Sequence, residues 1–280
     1  MAMHMEAFRS SIATGANTFG QVTYISAGAL LAPLVNGVQV SVALSKVHSI
    51  FGVGAHLDHI RPQAASFLPL PYPTLGPNNR SAAVESPPRF HDFSVQPIPL
   101  RPTEEFDIFA TQDSGAGENE AVFVQFTDGN NEQPPSLVNI PGINGNGRYF
   151  TAHGTGSTTL TANAWTQCTV SLDQALPAGY YAMIGARAFS AGALAFRIQP
   201  QIEPLWRPGG VAVQAYDQMD PPGQRAFPIT DRHYGGWGVW VKFFQNVVPY
   251  VQMWSTSADT AEEFWFDLVK LSDVVTAGAL

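Results

Sequence analysis

Cysteine is almost missing from this chain: Cys168 is the single one, so neither an intramolecular disulfide framework nor a Cys-rich zinc site is available. It falls in Thr166–Leu172, where alternation reads it as a small buried strand residue. Charge is scarce as well, at 13% of residues, against about 25% in an ordinary soluble domain. Much of the surface must therefore be neutral, either covered by copies of the chain or other proteins, or exposed as loop-rich surface on a monomer. Only three lysines occur (Lys46, Lys242 and Lys270), and the net charge is −8. Arginines are scattered singly and Met1–Phe19 carries only Arg9, so the clustered cations that neutralise phosphates are lacking and direct nucleic-acid binding is not expected. No stretch reaches the roughly 20 apolar residues of a membrane helix, and the N-terminus lacks a secretory pattern. The chain reads as soluble and not exported.

What the chain does contain is β-signal, with 45% hydrophobic and 11% aromatic residues. Short alternating or β-branched runs recur from about Gln21 to Thr127 and again from about Arg148 to Leu271, each stretch long enough for an eight-stranded jelly roll. Val38, Val40, Val42 and Leu44 read as one buried strand face, and Lys46–Val53 as the next strand. Seven prolines from Pro62 to Pro88 fall within 27 residues, too many missing amide donors for a sheet interior, and mark an extended excursion. Glu105–Ala110 and Ala121–Thr127 flank a turn-rich loop and read as a long-looped antiparallel pair. Gly and Pro clusters around residue 140 mark a junction, giving an arm at 1–19, a first jelly roll at 20–140 and a second at 141–280.

In the second half, Thr166–Leu172 reads as a strand, and Tyr180–Phe189 with Ala193–Ile198 as a hairpin around Ser190-Ala-Gly. A second Pro-containing excursion spans Asp217–Gly236. Three apolar runs close the chain: Trp237–Phe244, Tyr250–Trp254 and Glu263–Leu271, the last aromatic enough for a central strand. Ser257–Glu263 allows one short helical turn at most. No alternation of long helices with strands appears, which excludes a doubly wound α/β fold.

Chemistry is sparse. His56-Leu-Asp-His59 is the densest group of candidate ligands, yet in an extended segment Asp58 points away and a third ligand is missing. No His-x-His occurs, so the metal motif of a two-domain cupin is absent; His48, His91, His153 and His233 stand alone. Asp128-Gly-Asn-Asn-Glu lacks the ligand order of an EF-hand and reads as a turn. Gly145–Gly147 and Gly235–Gly238 lack the Lys-Ser/Thr and helix of a phosphate loop, and there is no Gly-x-Ser-x-Gly elbow. Glu104-Glu105 and Glu262-Glu263 are paired in sequence only, since adjacent strand residues face opposite ways. No catalytic, cofactor or metal site is assigned, and an enzyme is not expected. The aromatics Trp206, Trp237, Trp240, Trp254, Tyr234 and Tyr250 admit two readings: a carbohydrate-binding platform, as in a β-sandwich spike or adhesin, or core and interface packing.

The two strand processions, the Pro-rich excursions Pro62–Pro88 and Asp217–Gly236 and the aromatic final strand together resemble the double-jelly-roll major capsid proteins of tailless icosahedral viruses. The resemblance covers nearly the whole chain and implies an all-β fold of two tandem jelly rolls. It also implies a homotrimeric, pseudo-hexagonal capsomer that meets neighbouring capsomers and minor capsid proteins. The implied location is the virion, after synthesis in the host cytoplasm. One departure stands out: no basic N-terminal arm is present to meet a genome directly.

Overall fold

A computed structural model describes residues 3–10, 18–24, 30–34, 37–53, 57–67, 74–75, 90–93, 97–112, 120–128, 148–201, 205–212, 240–255, 258–260 and 262–273. The chain divides into two compact units, residues 2–130 and 131–280. Nearly all regular structure in both is antiparallel strand, apart from one 3-10 turn at Ala65–Phe67.

The second unit gives the strand pattern directly. Its strands are β12 (Arg148–Gly156), β13 (Ala164–Cys168), β14 (Val170–Leu172), β15 (Tyr180–Phe189), β16 (Ala193–Gln199), β17 (Gly209–Val211), β18 (Val241–Phe244), β19 (Tyr250–Ser255) and β20 (Glu262–Ser272). One sheet runs β14-β12-β20-β15-β18 and the other β13-β19-β16-β17. Leaving aside the short β14, the sheets take strands in the order first–eighth–third–sixth and second–seventh–fourth–fifth. This is the jelly-roll order, two Greek keys folded together.

The first unit repeats it. Its strands are β1 (Met3–Ser10), β2 (Gly20–Gln21), β3 (Thr23–Tyr24), β4 (Leu31–Leu34), β5 (Gly37–Val40), β6 (Lys46–Val53), β7 (Leu57–Ala64), β8 (Phe90–Asp92), β9 (Ile98–Pro99), β10 (Glu105–Gln112) and β11 (Glu120–Thr127). One sheet is β3-β1-β11-β6-β8 with β9 also on β6; in the other, β10 lies between β2 and β5 on one edge and β7 on the opposite edge. A bridge from Ile60 to Leu75 stands where the fifth strand belongs. The short β3 lies beside β1 as β14 lies beside β12, so the correspondence extends to this detail; the β4–β5 hairpin is an addition.

Sandwich cores follow from the alternation along these strands. In the first unit Phe8, Phe106 and Phe126 meet edge to face across the two sheets. The other face of β1, β11 and β6 is buried too: Met3, Met5, Ala7, Phe51 and Phe123 are at most 2% exposed. Strands covered on both faces lose the apolar/polar alternation, which is why Ala121–Phe126 is an almost unbroken apolar run. In the second unit Tyr181 packs between Phe150 and Phe243, and Trp254 is fully buried.

Several expectations are corrected. Residues 3–10, read as part of an N-terminal arm, form β1 and pair with β11 along their whole length. The strands read as antiparallel partners, β10 with β11 and β15 with β16, lie in opposite sheets, because the jelly-roll connections at these two points cross the sandwich. Thr166–Leu172 breaks at Thr169 into β13 and β14, again in different sheets. Pro62 belongs to β7: Ile60 turns its N–H to Leu75, away from β10, and by alternation the missing donor of Pro62 faces the same way, off the ladder. Val42 is 70% exposed, because Ser41 closes a turn at the end of β5, accepting from Ala43 N at 3.2 Å through its hydroxyl and from Leu44 N at 3.0 Å through its carbonyl. β20 lies between β12 and β15, the central place expected of the aromatic last strand.

Candidate functional site

The second jelly roll gathers a group of polar side chains that interact across strands. On β12 and β20 the register sets Thr151 opposite Asp267, His153 opposite Trp265 and Thr155 opposite Glu263, and β15 sets Arg187 opposite Trp265. Period-two alternation turns these residues to the sheet face away from Phe264 and Phe266. Asp267, nearly buried, accepts from Thr151 Oγ1 at 2.7 Å and from an Arg187 guanidinium nitrogen at 3.2 Å.

His153 is the centre of the group. Its Nδ1 lies 2.6 Å from Asp173 Oδ2 and its Nε2 3.3 Å from Glu263 Oε2, while its ring packs against Trp265 with centroids 4.9 Å apart. A ring with an acceptor at each nitrogen must carry both protons to satisfy them. The hydrogen bond to Asp173 accordingly raises its pKa above the ordinary value; burial pulls the other way, and the hydrogen bond to Glu263 adds to the rise. In that doubly protonated form His153 offers no lone pair to act as a base. Beside it a cavity of about 650 Å³ opens along β12, lined by Phe150, Leu176 and Tyr181 together with His153, Asp173 and Lys270. The Tyr181 hydroxyl donates to the Pro177 carbonyl, and burial pushes its pKa up. It too is poorly suited to proton abstraction.

At the loop end of the same unit, Asp259 and Glu262 tie three connections together. Asp259 Oδ2 accepts from Ser190 Oγ at 2.5 Å and Gly192 N at 3.0 Å, and its carbonyl accepts from Leu160 N at 2.8 Å. Glu262 accepts from Thr158 N at 3.3 Å. Cys168 is 3% exposed in the core, and burial, with the nearby charge of Glu262, pushes its thiol far above the range in which it would ionise.

The other residues singled out in the sequence are dispersed. His59 lies in β7, its backbone N–H donating to Thr111 Oγ1 at 3.1 Å; His56 lies outside the described residues. Glu104 caps a loop, accepting from Ser66 N, Ser66 Oγ and Arg101 N, while Glu105 is exposed. Glu262 and Glu263 do face opposite ways. His48 is buried at 1% exposure and His91 lies in β8. His233, Gly145–Gly147, Gly235–Gly238, Tyr234, Trp237 and the turn after Asp128 lie outside the described residues. Of the aromatics proposed as a sugar platform, Trp240 and Trp254 are buried at 7% and 0% exposure, Trp206 is half-buried and Tyr250 is 40% exposed. Trp240 stacks on Phe196, so it serves packing. Among the described residues no three His, Cys, Asp or Glu side chains are placed to hold a metal, and no helix is long and apolar enough to cross a membrane.

The His153 group was not legible as a site. Its signal is the polar alternation Thr151-x-His153-x-Thr155 and Glu263-x-Trp265-x-Asp267, which reads as one polar strand face. That the two strands are neighbours, more than 100 residues apart in sequence, is a property of the jelly-roll connection.

No family model and no curated protein matches the chain. Among solved structures it is similar to the major capsid protein P2 from bacteriophage PM2, at 13% identity, over 96% of this chain and 97% of that one, with a TM-score of 0.25. The strand order within each unit, independent of that superposition, assigns two jelly rolls.

Proposed function

We propose that the chain is a structural virion protein, the major subunit of an icosahedral shell, assembling as pseudo-hexagonal homotrimers. The observation that carries this reading is the repetition of one jelly-roll strand order in both halves of the chain, down to the short strand beside the first. Three such chains bring six similar sandwiches together, which is what a nearly six-fold building block requires. The sparse charge supports close packing of many copies, since repulsion between like surfaces is small. In this reading neighbouring capsomers and minor capsid proteins cover the neutral surface, and with no basic cluster in the N-terminal segment the genome is met through other components. No catalytic role or cofactor is assigned.

Electron microscopy of the purified protein tests the proposal most directly: hexagonal trimers or shell fragments are the expected image. Analytical ultracentrifugation showing a stable monomer at high micromolar concentration would overturn it.

A further inference from the structure

Glu262 opens β20 opposite Gly156 of β12 and is 1% exposed. Its Oε2 has one long bond, 3.3 Å from Thr158 N, and its Oε1 has no hydrogen-bond partner. Gly156 makes the room: a Cβ at that position would lie 2.2 Å from Oε2. An ionised carboxylate in this seat gives up its water and receives one weak donor in return, an arrangement that favours the neutral acid. Asp259, in the segment before β20, acts in the same sense; Cys168 of β13 lies near as a neutral thiol, and β12 sets Gly156 against the carboxylate. Among the described residues no cation is recorded acting on it, and Glu263 points to the opposite face, toward His153.

The position is also a junction. Glu262 holds the backbone at Thr158, and Asp259, three residues earlier, holds Leu160 and the turn at Ser190–Gly192. Ala212 donates to the carbonyl of Leu194, next to that turn.

We propose that Glu262 is a proton latch: neutral in acid, it stays in its dry seat against Gly156 and keeps the loop end of the second jelly roll closed; once ionised, the carboxylate is driven out of that seat toward water and releases residues 157–160. Burial supports the direction, pushing this acid up to about 7, with the Thr158 N–H opposing and Asp259 adding to the rise. A carboxyl whose folded value lies above its ordinary one stabilises the fold fully below that ordinary value. Here the contribution is lost as pH climbs from about 4.5 through about 7.

Carbon-detected NMR of the Glu262 carboxyl in the unmodified chain reads the titration itself. A midpoint near 7 is expected, and one near 4.5 overturns the latch. Thermal unfolding of the full chain and its Glu262→Gln variant, from pH 5 to 8.5, reads the consequence. Other titrating groups are common to both proteins, so the gap in Tm should open in favour of the variant as pH rises; a gap that stays constant overturns the proposal. Amide exchange at Thr158, corrected for intrinsic rates, separates a latch from a merely buried acid. Protection should fall above pH 7 in the unmodified chain and hold in the variant, and equal protection at both ends of the range overturns it.

Discussion

The geometry around His153 favours its protonated form: each ring nitrogen faces a carboxylate, and Asp173 is the nearer at 2.6 Å. Removing that acceptor by Asp173→Asn should bring the His153 pKa down toward its ordinary 6.5, read from its ring protons by NMR. An unchanged value would mean that Glu263 and the surroundings of Trp265 set the charge state instead. At Gly37 the constraint is steric. Its φ of +144° suits glycine, and a Cβ there would fall 1.5 Å from Asp107 Oδ1. Gly37→Ala should therefore destabilise the first jelly roll by about 2 kcal/mol or more in denaturant titrations; a neutral substitution would show that β5 and Asp107 can move apart. Residue roles of this kind were partly legible in the sequence. Cys168 as core filler followed from alternation alone. The partners of His153 did not, because each comes from a different strand.

Among the elements, β1 shows where pattern reading stops. Met3-His-Met-Glu-Ala-Phe-Arg-Ser has polar residues on the face that enters the sandwich, where buried His4 and Glu6 meet through Nε2 and Oε1. Covered on both faces, the strand has no solvent side to announce its period. Its weight in the fold is nonetheless large: Phe8 is 1% exposed and packs against Phe106 and Tyr24. Truncation by Phe8→Ala should cost about 3–5 kcal/mol, measured as the loss of unfolding free energy in urea. A loss under about 1 kcal/mol would mean that β1 is held by its backbone ladder alone. Long β-branched or aromatic strands such as β6, β11 and β20 were legible because they carry enough apolar residues to declare themselves. The antiparallel pairs read from β10–β11 and β15–β16 failed for a topological reason: a short connection usually joins strands of one sheet, whereas here it carries the chain over to the other.

For the molecule as a whole, three described groups, one in the first jelly roll and two in the second, are shifted in the same direction. Asp107 in the first jelly roll is raised to about 6, by burial first and then by Glu105, against a hydrogen bond from Gln21. Glu262 in the second is raised to about 7, and His153 is raised as well. Each favours folding at low pH and loses its contribution as pH rises through its folded value. The melting temperature should therefore fall between pH 5 and pH 8.5, measured by calorimetry at constant ionic strength; a rise over that range would refute these assignments together. The closed pairing of each sandwich has a separate consequence. Met3 is in register with Thr127, and Arg148 with Lys270, so in each unit the chain enters beside the point where it leaves. A module whose two ends touch can be spliced into a longer polypeptide, doubled, or rejoined in a new order without redrawing any of its internal strand pairs. The tandem plan thus asks little more of a gene than a second copy and a linker.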